Sequence, residues 1–279
     1  MPVHEPFVSL SLGGGVQSTT MLLALLAGDL PGPRPQLVVF ADTGWEPRRV
    51  YEHVTVLSAF CEEAEVPFEW VVLNPQRSLR DDLVDPRGTG TRNPNPGVVD
   101  IPAFYRHPDG GNVSIGKRQC TSNYKIVPIE RAMRRAMGVH AITRYRPAIA
   151  MIGISRDEAE RMAPNKNPNI ENTYPLIDAG WSRGDCLRWL QKNHPDLKPG
   201  KSACVGCPFH SDLYWKQMPA DERADAIEVD EAIRHTDGKM PQYLHRSGRP
   251  LPIVFEDLDR QPELPLDMPA DECGGYCFI

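Results

Sequence analysis

The sequence predicts an α/β protein built on a doubly wound, mostly parallel sheet. Short apolar runs typical of buried strands alternate with stretches whose apolar residues recur at helical spacing. The first run, Phe7–Leu12, ends in three glycines, and a helix predicted over Ser18–Leu30 follows it. Strands that alternate with helices in this way form parallel sheets with helices packed on both faces.

The remaining elements follow the same two patterns. Further strands are predicted over residues 36–42, 68–73 and 148–154, with a short fifth at Tyr174–Asp178. Helices are predicted over residues 47–65, 124–137, 182–193 and 221–235, the third capped by Ser182 with Asp185 three positions on. We expect a nucleotide-binding domain over residues 1–195 and a cysteine-containing, helical and extended segment over 196–279. The proline-rich stretch 74–117 lacks periodicity and predicts a long cover loop over the active site. Prolines after Arg246 likewise predict loops and extended chain.

Composition limits the classes of function. Charged residues make up 24% of the 279 residues and hydrophobic residues 41%, as in soluble globular proteins. The formal net charge of −6 does not indicate a broad basic surface for long nucleic acids. No apolar run approaches the ~20 residues that span a bilayer, and no secretory signal is evident, so we expect a cytoplasmic protein without a membrane partner. Seven cysteines in such a protein indicate metal or redox chemistry rather than a disulfide framework.

The glycines between the first strand and helix predict a phosphate site. Glycines let the backbone approach an anion, and the amides at a helix N-terminus point toward it. Ser18 and Thr19 add hydroxyl donors. The segment is neither a Walker loop nor the spaced-glycine dinucleotide fingerprint. The alternative is a tight strand-to-helix turn that needs glycine only for its backbone angles.

A second candidate group, Asp42-Thr43-Gly44, follows the second strand. Ligands of open α/β sheets bind beyond the carboxyl ends of the strands. Asp42 is therefore placed to meet a ribose, a phosphate-bound cation or the substrate. The alternative is a turn or helix-capping aspartate.

These residues resemble a known superfamily. Gly13-Gly14-Gly15-Val16-Gln17-Ser18 is similar to the PP-loop of ATP pyrophosphatases and phosphoadenosine phosphosulfate (PAPS) reductases, whose usual pattern is Ser-Gly-Gly-x-Asp-Ser. Gly13 replaces the first serine and Gln17 the aspartate. Further segments resemble the reductases in the family's order: Asp42-Thr-Gly-Trp-Glu-Pro, Lys117 to Ile129, Gly153 to Arg161, Tyr174 to Asp178, Cys204-Val-Gly-Cys207 and Glu272-Cys273-Gly274.

The resemblance implies an adenine nucleotide α-hydrolase-like fold of Rossmann type and a bound ATP, with Mg²⁺, or PAPS or adenylyl sulfate. It implies nucleotide contacts from Ser11, Gly13, Gly14, Gly15, Gln17, Ser18, Thr19, Asp42, Thr43, Gly44 and Arg161. It implies catalytic roles for Asp42, Lys125, Arg156 and Cys273, the last as the thiol that attacks a sulfonate sulfur. For the two arginines, the alternative is a charged surface paired with neighbouring acids.

The cysteines predict a metal site. Cys204-x-x-Cys207 is a common two-ligand spacing for zinc or an iron–sulfur cluster. By resemblance to adenylyl sulfate reductases, Cys120 and a tail cysteine, Cys277 or Cys273, complete a [4Fe–4S] site, although Gln119 replaces one ligand of the reductases' cysteine pair. Zinc, a redox dithiol and unrelated thiols are the alternatives. Cys61 and Cys186 lie within helical patterns and are expected in the core.

Three functions remain open. The first is an enzyme that cleaves ATP to AMP and pyrophosphate to activate a nucleobase or small molecule for sulfur transfer. The second is a reductase of the sulfonate in adenylyl sulfate or PAPS. The third, motivated by Gln17, is a catalytically altered nucleotide-binding component of a larger system. The expected partners are a sulfur donor protein or thiol reductant, and a second copy of the chain in a homodimer.

Overall fold

Eight strands occur in the part of the chain that the computed structural model describes, residues 5–85, 100–107, 111–139, 147–235 and 240–262. They are β1 (Phe7–Leu12), β2 (Leu37–Asp42), β3 (Phe68–Val72), β4 (Phe104–Arg106), β5 (Val113–Ile115), β6 (Ala148–Ile152), β7 (Ile170–Thr173) and β8 (Gln242–Tyr243). Five of them form one sheet in the order β3-β2-β1-β6-β7, and every pair in it is parallel. The predicted parallel α/β sheet is confirmed.

The helices are α1 (Val16–Ala27), α2 (Arg48–Glu63), α3 (Leu79–Val84), α4 (Val127–Ala136), α5 (Pro175–Asp178), α6 (Arg183–Asn193), α7 (Asp212–Gln217), α8 (Ala220–Arg234) and α9 (Leu251–Arg260). A π-helical turn, Thr121–Ile126, leads into α4, and a 3-10 helix, Arg156–Arg161, follows β6. Within the described ranges, no helix is long and apolar enough to cross a bilayer.

Alternating residues of the strands feed two cores, because successive side chains of a strand point to opposite faces of a sheet. Val8, Leu10 and Leu12 of β1 pack with α1, α2 and α6, whereas Phe7 packs with Ala132 and Met133 of α4 on the other face. With helices on both faces the sheet is buried, as parallel sheets require.

The strand order places a crevice beside β1. β1 lies between β2 and β6, so the chain leaves it toward one edge of the sheet and later returns on the other side. The carboxyl ends of the strands on either side of such a reversal form the usual ligand crevice of open α/β sheets. The glycine loop begins at this point.

A third core lies beyond the main sheet. It joins α3, the π-helical turn, α7, α8 and α9, with Trp215 completely buried at its centre. A small antiparallel sheet, β5-β4-β8, borders it. The domain boundary at residue 195 stays a prediction.

Three sequence-based expectations were wrong. Tyr174–Asp178 does not supply the fifth strand: Pro175 opens the short helix α5, and the polar residues of β7 just before it form the edge strand. The 74–117 stretch contains α3, β4 and β5, with α3 capped by Ser78 and Asp81. The proline-rich tail contains α9, whose buried Leu251, Val254, Phe255 and Leu258 recur at helical spacing.

Candidate functional site

The glycine loop turns tightly from β1 into α1. Gly14 has a φ of 75°, a conformation that favours glycine. The Ser18 hydroxyl braces the turn by accepting a bond from the Gly13 amide at 3.2 Å and donating one to the Gly15 carbonyl at 3.3 Å. The first intrahelical bond runs from the Thr19 amide to the Gly15 carbonyl, so the preceding amides of α1 point out of the helix end. The loop therefore has the geometry of an anion site.

Gly153, just after β6, lets the loop sit against the neighbouring strand. A Cβ atom at Gly153 would lie 2.7 Å from the Ser18 Cα and 2.8 Å from its amide nitrogen. These are backbone atoms, which cannot move aside as a flexible side chain can. Gly153 is thus a structural requirement for the start of α1.

A cavity of about 920 Å³ opens at the loop. Ser11, Gly13, Gly15, Gln17 and Ser18 line it, and its far wall is formed by α4, β6, β7 and the segment after the 3-10 helix. The described lining includes only two acids, Glu130 and Glu158. It includes seven cations: Arg49, Arg118, Lys125, Arg161, Lys166, Arg183 and Lys201. In a chain of net charge −6, this concentration of positive charge predicts an anionic ligand.

One hydrogen-bond network surrounds the loop end of this cavity. The Gln17 amide nitrogen donates to Glu158 Oε2 at 2.8 Å, and the Gln17 oxygen accepts from Arg183 Nη1 at 3.2 Å. Glu158 in turn pairs with Arg161 at 2.6 Å. The first turn of α1 is thereby tied to the 3-10 helix and to α6.

A second cavity, of about 40 Å³, adjoins the first. Cys120, Cys204 and Cys207 all line it, and we call it the thiol cavity. Arg118, Thr121, Lys125 and Ser202 line both cavities and form the wall between them. Ser202 also donates a hydrogen bond to the Gly13 carbonyl, which joins the cysteine-bearing segment directly to the glycine loop.

A buried ion pair lies beside the thiol cavity. Lys125 Nζ is 3.2 Å from Glu46 Oε1, and the Glu46 side chain is only 1% exposed. Burial opposes the charge of Lys125, but the Glu46 carboxylate and Cys204 nevertheless raise its pKa above the ordinary value. The Cys204 sulfur lies 3.3 Å from Thr43 Oγ1 and 3.6 Å from Glu46 Oε1. Lys125 therefore remains a cation at the wall of the large cavity.

Burial raises the pKa of each of the three thiols above its ordinary value, which favours the protonated form. Burial, together with the charge of Cys207, raises the pKa of Cys120 to about 11. Burial also raises the pKa of Cys207, and it raises that of Cys204 well above the usual range, helped by Glu46. A metal would have to displace these protons, as thiol-bound metals do.

The donor set is soft and suits zinc or iron–sulfur chemistry. Nevertheless, in the described ranges no three His, Cys, Asp or Glu side chains are arranged to hold a metal ion. The cysteines therefore suit a metal group in chemistry, but their arrangement among the described residues does not form a metal site. The predicted tail ligand, Cys277 or Cys273, lies outside the described residues, as does the predicted catalytic role of Cys273.

His210 supports the Cys204–Cys207 loop. Its Nε2 lies 2.8 Å from the Cys204 carbonyl oxygen and 3.0 Å from that of Val205. Its ring stacks on Tyr214 and meets Trp215 edge-on. Burial lowers the pKa of His210 well below its ordinary value, so the neutral ring donates to these carbonyls.

Several predicted site residues lie away from the large cavity, and none of the following is among its described lining. Asp42 accepts bonds from the Gly44 amide, the Tyr51 hydroxyl and the Trp70 indole. Thr43 bonds Glu46 near the thiols, and Thr19 contacts His53 at 2.8 Å. Gly14 packs against α2 and Arg156 is exposed. The structure thus groups the loop, Lys125 and Arg161 at one cavity, whereas these five residues and Gly44 lie outside its described lining.

Four residues of the site were not predicted from the sequence: Glu46, Glu158 as a partner of Gln17, Arg183 and Ser202. Glu46 and Glu158 lie inside motifs that were recognised in the sequence. An acidic residue within such a motif was the signal that could have identified them. Arg183 and Ser202 come from the start of α6 and from the segment before Cys204. Their role depends on packing between distant segments, which local patterns do not report.

No protein-family model and no curated protein sequence matches the chain. Two solved structures are similar in fold. A PAPS reductase from Candida auris, in a phosphate complex, is 13% identical with a TM-score of 0.42, over 68% of this chain and 74% of the other. The U34-tRNA thiolase NcsA from Methanococcus maripaludis, with its [4Fe-4S] cluster, is 16% identical with a TM-score of 0.39, over 83% and 74%. At these identities the likeness concerns the fold alone.

Proposed function

We propose that the chain is an enzyme of sulfur metabolism, of PAPS-reductase type, that binds an adenine nucleotide in the large cavity. One observation carries the proposal: the large cavity, which the glycine loop lines, shares a wall with the thiol cavity, and that wall contains Lys125 and Arg118. A phosphate site and a group of thiols are thereby brought within one continuous region. The ordered sequence motifs support the same assignment.

The loop end of the cavity would take the phosphates. The amides at the start of α1 and the helix dipole favour an anion there. Arg161 and Arg183 approach the same end through Glu158 and Gln17. If the nucleotide is ATP, Mg²⁺ accompanies its phosphates. The apolar far wall, which includes Ile129 and Met133 of α4, provides room for a base.

In the reaction we favour, a substrate oxygen attacks the α-phosphorus of ATP. The bond between the α-phosphorus and the bridging oxygen breaks, and pyrophosphate leaves with that electron pair. Sulfur then attacks the activated carbon, and AMP departs with the original oxygen. Lys125 and Arg118 are placed to offset negative charge that develops during these steps. The substrate class is a nucleobase or a small molecule.

Cys120, Cys204 and Cys207 would hold a [4Fe–4S] cluster or, as the alternative, zinc. Three thiols at one buried cavity support this, and a tail cysteine would complete the ligands. Such a cluster would hold or deliver sulfur beside the nucleotide. Lys125 lies against these thiols and keeps its positive charge there.

Reduction of a sulfonate is the second candidate, favoured by Glu272-Cys273-Gly274 in the sequence. In that reaction the Cys273 thiolate attacks the sulfonate sulfur, and the bond from sulfur to the phosphate oxygen breaks. A thiol reductant then attacks the cysteine sulfur, which releases sulfite and forms a disulfide. A nucleotide-binding component without catalysis is the remaining candidate.

Anaerobically purified protein, incubated with ATP or with PAPS, tests these candidates. Pyrophosphate and AMP formed from ATP support activation for sulfur transfer, whereas sulfite formed from PAPS or adenylyl sulfate with a thiol reductant supports reduction. Binding without turnover supports the non-catalytic component, and failure to bind either nucleotide contradicts the proposal.

Arg161→Met should weaken nucleotide binding at least about tenfold, since it removes a cation from the phosphate end of the cavity. Arg156→Met tests the predicted catalytic role of the exposed Arg156, and unchanged turnover would exclude that role.

The metal proposal has its own test. Cys204→Ser should remove iron, or zinc, from the purified protein, measured by metal and sulfide analysis and by the visible spectrum. Cys61→Ser is the matched control, because Cys61 is a buried residue of α2 in the core of the main sheet and does not line the thiol cavity. Equal metal content in both variants would exclude Cys204 as a ligand.

A further inference from the structure

The side chain of Gln17 makes a contact that depends on its being uncharged. Its amide nitrogen donates to Glu158 at 2.8 Å while its oxygen accepts from Arg183 at 3.2 Å. An amide at this position satisfies an acid on one side and a cation on the other, which neither a carboxylate nor an ammonium group can do. All three residues line the large cavity at the loop.

Glu158 is the partner through which this contact reaches the cationic groups. It bonds Gln17 through one carboxylate oxygen and Arg161 through the other, at 2.6 Å. The Glu158 and Arg161 side chains are only 16% and 8% exposed, so water screens the pair weakly. A charge placed beside this pair should therefore have a large effect on the interaction between Glu158 and Arg161.

A carboxylate at position 17 would replace the donor by a second acceptor. An oxygen would then stand where the amide nitrogen lies 2.8 Å from Glu158 Oε2, and two like charges would repel each other at close range. The usual PP-loop pattern has aspartate at this position, and here the acid belongs to the 3-10 helix instead. The cavity thus has room for one carboxylate at this point.

We propose that Gln17 is a positioning residue for the phosphate end of the cavity, where it holds Glu158, Arg161 and Arg183 around the loop. The acid that the usual pattern carries on the loop is supplied in this chain by Glu158. The ligand that this arrangement favours is the polyphosphate or sulfophosphate group of the nucleotide, since two arginines are held toward one anion site. The inference rests on the proposed nucleotide site. It also explains the glutamine at position 17 without a loss of catalytic activity.

A double-mutant cycle of Gln17→Glu and Glu158→Gln, both nearly isosteric, tests the coupling. The measurements are the Kd for Mg²⁺-ATP or for PAPS, whichever the wild-type protein binds, and the thermal unfolding midpoint without nucleotide. Gln17→Glu should weaken binding about tenfold in the wild-type background and less than about threefold in the Glu158→Gln background. Gln76→Glu, the same change at an exposed residue outside the described lining, should leave the Kd unchanged.

The inference is overturned if Gln17→Glu has the same effect in both backgrounds, or if it lowers the unfolding midpoint and leaves the Kd unchanged. Should the Gln17→Glu protein not fold, Gln17→Met removes both hydrogen bonds without adding charge. It should weaken binding about threefold, and a wild-type Kd would overturn the inference. Wild-type protein that binds neither nucleotide overturns the proposed function itself, and with it the phosphate-end role of Gln17.

Discussion

The glycine loop and the thiol cavity adjoin each other but are built in different ways. The loop is a single contiguous segment, and the backbone of Gly13 and Gly15, braced by the Ser18 hydroxyl, defines its shape. The thiol cavity joins segments far apart in the chain, among them residues 118–125 and 202–209, and Glu46 pairs with Lys125 beside it. The loop therefore depends on free space around its backbone, whereas the thiol cavity depends on charge compensation between buried side chains.

The largest expected effect is at the thiol cavity. Lys125→Met leaves the buried Glu46 carboxylate without its cation, and removal of one partner of a buried pair lowers the free energy of unfolding by about 3–5 kcal/mol. Urea denaturation measures the loss. The additional change Glu46→Met should recover part of it, because no buried charge then remains.

The surface pair Arg48–Glu52 is the control for that variant. Its side chains are 83% and 63% exposed, so Arg48→Met should cost less than about 1 kcal/mol. Equal costs for Lys125→Met and Arg48→Met would show that the thiol cavity does not depend on charge compensation.

A smaller effect is expected at the loop. Gly153→Ala forces a methyl group against the backbone of Ser18 and should lower the free energy of unfolding by about 1–3 kcal/mol. It should also weaken nucleotide binding, since the start of α1 must shift. Denaturation and calorimetric titration measure the two effects.

Gly184→Ala is the matched control because Gly184 lies inside α6. A Cβ there would meet only the Arg188 side chain, at 3.4 Å, and the Ser182 hydroxyl, at 3.6 Å. The change should be neutral or stabilise by up to about 1 kcal/mol. A Gly153→Ala protein as stable as Gly184→Ala would contradict the close approach of β6 and α1.

The smallest effect concerns the link between the two regions. Ser202→Ala removes the bond to the Gly13 carbonyl and should cost about 0.5–1.5 kcal/mol. Ser58→Ala, which removes a surface hydroxyl bond within α2, should stay within about 0.5 kcal/mol of wild type. If the Ser202 variant is no less stable than the Ser58 variant, the two regions are held together by packing alone.

The loop could be predicted from the sequence better than the thiol cavity. The loop depends on residues a few positions apart, whereas the thiol cavity depends on contacts between distant segments. β1 begins and ends at the predicted residues, and the predicted Ser182–Asp185 capping box is present, because both depend on neighbours within a few positions. β7 was missed since its residues are mostly polar, and α9 was missed since prolines in its first turn, which helices tolerate there, suggested extended chain.

At the site, the cysteine motifs brought Cys120, Cys204 and Cys207 into one hypothesis, and the structure places all three at one cavity. Glu46 could not be assigned from the pattern, because its pairing with Lys125 joins residues far apart in the chain. The position of Asp42 also depended on tertiary structure: its carboxylate accepts bonds from Tyr51 and Trp70 and is not among the described lining of the large cavity.

The π-helical turn Thr121–Ile126 has a consequence for the spacing of the chain. Each residue of an α-helix advances about 100° around the axis, and a π-helical turn holds an extra residue relative to that winding. Because the π-helical turn already accommodates the extra residue, deletion of one residue from it would restore α-helical winding and leave Cys120 close to its present orientation relative to α4. The side chains inside the turn, including Tyr124 and Lys125, would change direction instead, while the helix itself stayed continuous. The length of this segment, as much as the identity of its residues, therefore governs whether Lys125 points to the wall between the two cavities.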